Sequence, residues 1–257
     1  MKKLFLIIVV WALGIGCSPQ KNWNVTNSAL TVYPAKPSAP EVQAVRLQPY
    51  GEGIIRVSVS ATDTFTTAGS LVTLPPQKPV QFTVVEKGDS LELKSGHTVA
   101  RIAKQTGQIR FYGKDGELKL SEKSAGGREM SPVTIQGKEA YSVRQVFEGA
   151  PHEALYGLGQ HQAHEMNYKG KNEELFQYNT KVSVPVVVST NNYGVLWDNY
   201  SLTRFGDPRP YGQISQFKLY GKDGKEGGLT ARYVDNTETG NVHTVRQEQH
   251  IDYENLS

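Results

Sequence analysis

From Glu41 to Trp197 no run of a dozen residues sustains a 3.6-residue apolar period. The chain is cut instead into short alternating runs separated by turn signals. Val45 and Leu47 alternate with Arg46 and Gln48 over Ala44–Gln48; Tyr50–Gly53 then turns, and Ile54–Val59 alternates again. An apolar residue at every second position is the mark of a half-buried strand. The same reading gives strands over Gln81–Val85 and Ser90–Lys94 around a turn at Lys87–Asp89. It gives another pair, Thr98–Ala103 and Gln108–Tyr112, around Thr106–Gly107. Asp115–Gly116 is the strongest short hairpin signal, and a two-residue turn there expects positive φ at both residues. Lys119–Leu120 and Val133–Gln136 are weaker strands, and Tyr141–Phe147 is a clear one. Only Pro151–Tyr156 and Glu173–Gln177 have room for a helical turn. Short strands at regular spacing predict an all-β, two-sheet β-sandwich. Roughly 190 residues suffice for one such domain with a sizeable core.

Tyr156–Gly–Leu–Gly–Gln–His–Gln162 and the run to Asn199 interrupt that rhythm. Gly157 and Gly159 let the backbone turn and approach something closely. Gln160, His161, Gln162 and His164 follow as a polar cluster. Val182–Thr190 and Tyr193–Trp197 are apolar enough to be two buried strands. A polar, glycine-punctuated loop mounted on two strands is how binding loops are carried. The same pattern also suits an ordinary hairpin with a long tip.

Several motifs in this region resemble the N-terminal β-domain of glycoside hydrolase family 31, and within it the bacterial α-xylosidase-like branch. They are Tyr156–Gly–Leu–Gly–Gln–His161, Asn167–Tyr–Lys–Gly170, Glu174–Leu–Phe–Gln–Tyr–Asn–Thr180 and Val184–Pro–Val–Val–Val–Ser189. Tyr193–Gly–Val–Leu–Trp–Asp–Asn–Tyr200 and Phe205–Gly–Asp–Pro–Arg209 continue the match. The resemblance implies a galactose-mutarotase-like sandwich over residues 29–224. It also implies that a (β/α)₈ barrel supplies the two catalytic aspartates, so no catalytic residue is assigned in this chain. The stretch from Gln160 to Asn179 would lean over the barrel mouth. Gln160, His161, Gln177 and Asn179 are then the candidate substrate-binding residues. The implied substrate carries α-linked xylosyl or glucosyl units, and no cofactor is needed. Gln177 and Asn179 carry amides that both donate and accept, which suits sugar hydroxyls.

Met1–Lys2–Lys3, an apolar run from Leu4 to Gly16 and the lone Cys17 read as a lipoprotein signal over residues 1–16, with Cys17 lipidated. An ordinary export signal with an incidental cysteine fits the same residues. Ser18 after Cys17 points to an outer-membrane lipoprotein of a Gram-negative cell. Residues 17–28 are polar and read as a flexible tether. At the other end, Gly227–Asn236, Arg246 and Ile251–Tyr253 resemble the opening strands of a protective-antigen type carbohydrate-binding module. Residues 225–257 are therefore expected to be the truncated start of that module, or else a β extension of the sandwich. Tyr–Gly–Lys–Asp–Gly recurs at 112–116 and 220–224 and marks reused turn chemistry, too short to be a fold repeat.

Composition excludes several classes. No cysteine follows Cys17, so the folded part has neither an internal disulfide nor thiol chemistry. Of 28 basic residues two lie in residues 1–16, and none of the 25 acidic ones does, leaving a nearly neutral chain with no basic run for nucleic acid. His161 and His164 are three apart, but the glycines before them argue for a loop and no third ligand is near, so no metal site is assigned. Glu173, Glu174 and Asp198 are available carboxylates without a catalytic assignment. Trp197, Tyr193 and Phe205 are aromatic faces that suit either sugar stacking or the core. Two other functions are compatible with these residues: a stand-alone surface glycan-binding lipoprotein, and the inactive remnant of a disrupted gene.

Overall fold

A computed structural model of the chain describes residues 21–124, 127–162, 166–206, 217–221, 224–234 and 240–248. Every regular element among them is a β-strand. In chain order these are β1 (Trp23–Val25), β2 (Leu30–Val32), β3 (Ala44–Gly51), β4 (Ile54–Ser60), β5 (Thr83–Lys87), β6 (Ser90–Ser95) and β7 (Thr98–Ala103). They continue with β8 (Ile109–Tyr112), β9 (Leu118–Glu122), β10 (Arg128–Ile135), β11 (Lys138–Gln145), β12 (Phe147–Glu148) and β13 (Leu155–Gln160). The last are β14 (Glu173–Leu175), β15 (Val182–Ser189), β16 (Tyr193–Leu196), β17 (Thr203–Phe205), β18 (Leu229–Val234) and β19 (Val242–Glu248). The described residues up to Lys169, with Glu174–Thr203, make one compact unit. Gly170–Glu173 and the described residues from Arg204 onward make a second.

The first unit is the expected sandwich. One sheet has the order β1-β2-β3-β4, the other β12-β9-β8-β7-β6-β5. Alternation decides what faces inward. Leu30 and Val32 of β2, and Val45 and Leu47 of β3, are fully buried, while Thr31, Arg46 and Gln48 between them point outward. The other sheet answers with Leu91 and Leu93 of β6, Ala100 and Ile102 of β7, and Ile109 of β8, in one continuous apolar cluster. Burying a side chain of this size contributes about 1.5–3 kcal/mol, so the interleaved layer holds the two sheets face to face. A third sheet, β13-β15-β16, and the long hairpin β10-β11 belong to the same unit.

Four local expectations are corrected. Trp23–Val25 lies within the stretch read as a tether, yet it forms edge strand β1, paired Trp23 to Val32 and Val25 to Leu30. The Asn22 amide fixes its start, donating to Tyr33 O at 3.0 Å and Lys104 O at 2.9 Å, and Trp23 packs on the core. At Asp115–Gly116 only Gly116 has positive φ, at 76°. The loop is longer than two residues: Gly116 N donates to Gly113 O and Gly113 N to Glu117 O. Gly224 N to Gly221 O and Gly221 N to Lys225 O repeat that bond pattern, which is the reused turn chemistry seen in the sequence. Neither stretch with room for a helical turn is helical, since Leu155–Gln160 and Glu173–Leu175 are strands. Finally, β15 is not a buried strand. Val187 and Ser189 are buried, but Val182, Val184 and Val188 on the other face are 40–52% exposed. A strand alternates faces, and only one face of this sheet is covered by described residues.

In the second unit, β18 and β19 pair as a hairpin, with Tyr233 Oη donating to Glu248 Oε1 at 2.6 Å and Gln247 Nε2 to Thr230 Oγ1 at 2.8 Å.

Candidate functional site

The backbone that carries the site is bent by three consecutive residues of positive φ: Gly157 at 124°, Leu158 at 65° and Gly159 at 100°. Gly157 pairs with Val187 and Gly159 with Ser183, so two steps along β13 span four along β15. This is an irregular bulge inside a strand pair, with the extra residues on β15, rather than the turn of a free loop. It rolls Leu158 inward, where it is buried. The close approach expected of the two glycines is to β15. A Cβ on Gly157 would lie 2.3 Å from Val186 O, and one on Gly159 would lie 2.0 Å from Val182 O. Only glycine fits either position.

Beyond the bulge the ladder resumes with Gln160 opposite Val182, the first residue of β15. That pairing brings the two halves of the predicted site to one end of the sheet. Gln160 and His161 leave β13 there, and Phe176–Thr180 arrives at β15 there. Tyr178 and Lys181 bridge, closing a tight tip at Asn179 and Thr180. Lys181 Nζ braces the tip by donating to Glu174 O at 2.6 Å. Gln177 Oε1 accepts from Ser183 N at 2.9 Å, so its carbonyl ties the tip to β15 while the amide nitrogen sits on the exposed side. Asn179 is exposed at the tip itself. His161 is more enclosed than the other three. Its Nε2 is 2.7 Å from Leu158 O, and its ring stands edge-on to the buried Tyr168 with centroids 6.0 Å apart. His164 and Cys17 lie outside the described residues.

Phe176 and Tyr178 were not among the candidates, yet they flank Gln177 on the same tip. They are 59% and 48% exposed, and their rings are 6.2 Å apart at 32°. Exposed aromatic faces beside amide groups are what a sugar ring needs from a protein: an apolar platform and hydroxyl partners. Their spacing of two in sequence was the signal, since it puts both on one side of an extended segment.

Two carboxylates anchor the β13-β15-β16 sheet, Glu153 at the Leu155–Ser189 end opposite the tip. Glu153 is almost wholly buried between β12 and β13. Its Oε1 accepts from Ser189 Oγ at 2.6 Å and Tyr193 Oη at 2.5 Å, and its Oε2 accepts from Lys169 Nζ at 2.9 Å and Ala150 N at 3.2 Å. Burial alone would raise its pKa, but the bonds from Ser189, Tyr193 and Lys169 together hold it below the usual carboxylate range. Burial and Glu153 push the Tyr193 phenol well above its ordinary value, so Tyr193 stays a neutral donor. It serves this network rather than a sugar. Asp198 pairs with Arg56 at 3.0 Å and accepts from Ser70 Oγ at 3.0 Å, which joins the segment after β16 to β4 and to the loop that follows it. Neither carboxylate is placed to act on a substrate, and the exposed groups at the tip can bind hydroxyls but supply no nucleophile.

The comparisons with known proteins agree with this architecture. Residues 44–205 match the glycosyl hydrolase 31 N-terminal galactose mutarotase-like domain. An uncharacterized family 31 glucosidase from Pseudescherichia vulneris is 34% identical over 182 residues, covering 62% of this chain and 33% of that protein. An α-xylosidase from Saccharolobus solfataricus is 30% identical over 146 residues, 52% of this chain and 19% of that protein. Among solved structures, the family 31 α-xylosidase from Xanthomonas citri is 43% identical with a TM-score of 0.67, covering 90% of this chain and 25% of that one. A soil-metagenome α-xylosidase solved with xylose is 28% identical with a TM-score of 0.60, covering 71% and 28%. The chain thus spans only 19–33% of the length of these relatives. The match over residues 44–205, borne by a sandwich of the expected kind, establishes that this chain belongs to the glycosyl hydrolase 31 N-terminal galactose mutarotase-like domain family.

Proposed function

We propose that this domain is the substrate-lining part of an exported α-glycosidase that hydrolyses α-linked xylosyl or glucosyl units. The observation that carries the reading is the convergence of Gln160, Gln177 and Asn179 at one end of the β13–β15 pair, beside exposed Phe176 and Tyr178. The bulge, the Lys181–Glu174 bond and the Gln177–Ser183 bond hold that end, so the amides meet a sugar without first paying an ordering cost. Bond cleavage belongs to the (β/α)₈ barrel of the parent enzyme. Two carboxylates about 5–5.5 Å apart would act there as nucleophile and acid in retaining hydrolysis. The protective-antigen-like segment at 225–257 is a further carbohydrate-binding element in this reading. Cys17 is its lipid anchor, holding the enzyme at the outer membrane. Detergent partitioning tests the anchor: Cys17→Ala should move the protein to the aqueous phase or leave the leader uncleaved.

A chimera tests the main reading. Residues 29–224 would replace the corresponding segment of the Xanthomonas citri α-xylosidase. A folded chimera is expected to release p-nitrophenol from p-nitrophenyl α-xyloside or α-glucoside. A chimera that folds with an intact barrel and turns over neither substrate overturns the proposal.

A further inference from the structure

The outer face of the β1–β4 sheet carries a cleft of about 280 Å³. It lies on a different sheet from the site described above. Strand alternation builds its floor. Leu30 and Leu47 face the core as one cross-strand pair, so Thr31 and Arg46, the next pair along, face outward together with Gln48 and Tyr33. The Thr26–Ala29 turn makes one wall, closed by Thr26 N to Ala29 O at 2.9 Å. The other wall is the loop after β4, which Ser60 Oγ pins by donating to Thr64 O at 2.6 Å. That loop sets Phe65 against the Arg46 guanidinium, 4.3 Å from the ring centroid, and brings Asp63 to the rim.

Arg46 is the unusual group. Its Nε is shielded from solvent and has no hydrogen-bond partner among the described residues. No described carboxylate forms an ion pair with it, whereas its neighbour Arg56 is paired with Asp198. Burial and the like charge of Arg56 lower its affinity for its proton. A guanidinium that is part-buried, held by an aromatic ring and left without an anion costs stability. A perturbed group of this kind lining a cleft is a candidate ligand contact.

The remaining groups define that ligand. Arg46 donates only, Asp63 accepts only, and Gln48 and Thr31 do both. A simple anion would use Arg46 but meet repulsion from Asp63. A polyhydroxylated ring uses all four, and Tyr33 offers it an apolar wall. The volume is just below the usual range of small-ligand sites, which suits one ring rather than a long chain segment. We propose that this cleft is a second saccharide-binding site, taking a single pyranose unit through Arg46, Gln48, Thr31 and Asp63. It would hold a glycan at a distance from the tip that meets the scissile bond, and it depends on none of the tip residues.

The test is a titration of the full chain with methyl α-xyloside and methyl α-glucoside, followed by NMR of the Arg46 Nε–H and the Gln48 side-chain amide. Saturable shifts of both signals are expected with at least one glycoside. Arg46→Lys removes the planar fork but keeps the charge, and should weaken binding about tenfold, equivalent to about 1.4 kcal/mol. Thr31→Val is nearly isosteric and should weaken it severalfold without lowering Tm. Gln177→Ala should leave these shifts unchanged, which separates this site from the tip. The inference is overturned if neither signal moves, or if inorganic phosphate shifts them and neither glycoside does. It is also overturned if Gln177→Ala abolishes binding while Arg46→Lys leaves it intact.

Discussion

Tyr193 Oη donates to Glu153 Oε1 at 2.5 Å across 40 residues of chain, and Ser189 Oγ donates to the same oxygen at 2.6 Å. One buried carboxylate thereby ties β15, β16 and the segment before β13 into a single block. Glu153→Gln keeps the shape but gives up the charge that four donors share. Hydrogen bonds to a charged acceptor contribute about 1.5–3 kcal/mol each, and part of that survives in the amide. The variant is expected to lose about 2–4 kcal/mol, a fall in Tm of roughly 5–12 °C for a domain of this size. Thermal denaturation followed by circular dichroism measures it, and an unchanged Tm would show that the network contributes nothing.

The same carboxylate sets a pH response, and Glu122 sets an opposite one. Glu153 is held below its ordinary value of 4.5, so the unfolded chain takes up its proton first as the pH falls. Its stabilisation is complete above that value and is lost as pH drops through the lower folded pKa. Glu122 is buried beside Arg128 at 2.6 Å and also accepts from Ile109 N at 3.0 Å. Burial nonetheless raises its pKa against the pull of Arg128 and that backbone donor. Here the folded state binds the proton more tightly, so stability falls as pH rises from about 4.5 through the raised value. Urea unfolding across pH 3–8 should show Glu153→Gln flattening the acid side and Glu122→Gln flattening the decline above it. Identical profiles for the two variants would contradict both assignments.

Much of this was legible in the sequence because alternation is a local signal. Val45 and Leu47 declare a buried face without reference to any other part of the chain, and the two sheets follow from many such runs. Trp23–Val25 escaped because three residues in a polar stretch carry no period; its order comes from β2 and from Asn22 reaching Lys104, 82 residues away. Glu153 escaped for the same reason, since its donors lie up to 40 residues further on. The glycines of the Tyr156–Gln160 strand were visible as glycines. Whether they turned a loop or kinked a strand depended on the carbonyls of Val182 and Val186, which spacing does not reveal.

Those carbonyls make Gly159 a sharp test of the bulge. Gly159→Ala would add a Cβ 2.0 Å from Val182 O at a φ of 100°, so the backbone of one strand must move. Gly116 also has positive φ, at 76°, but a Cβ there meets nothing within 4 Å. Gly116→Ala should therefore cost only the local strain of about 1 kcal/mol, and Gly159→Ala more than about 3 kcal/mol. Equal Tm shifts for the two would mean that the strand pair yields easily and that the bulge does not fix the site.

The tip residues separate binding from scaffolding by their own geometry. In the proposed reading Gln177 has two functions at its two ends: Oε1 accepts from Ser183 N, and the amide nitrogen meets a sugar hydroxyl. Gln177→Ala removes both, so it should lower Tm and activity together. Gln177→Glu keeps an oxygen for Ser183 N but replaces the donor with an acceptor. In the chimera with a catalytic barrel it should leave Tm within about 1 °C and lower kcat/KM about tenfold. Asn179 makes no comparable tie among the described residues, so Asn179→Ala should behave in the same way. If Gln177→Glu and Asn179→Ala both keep full kcat/KM in a folded chimera, the tip is a structural hairpin. The amides would then be solvated decoration on it, and neither residue would belong to the substrate site.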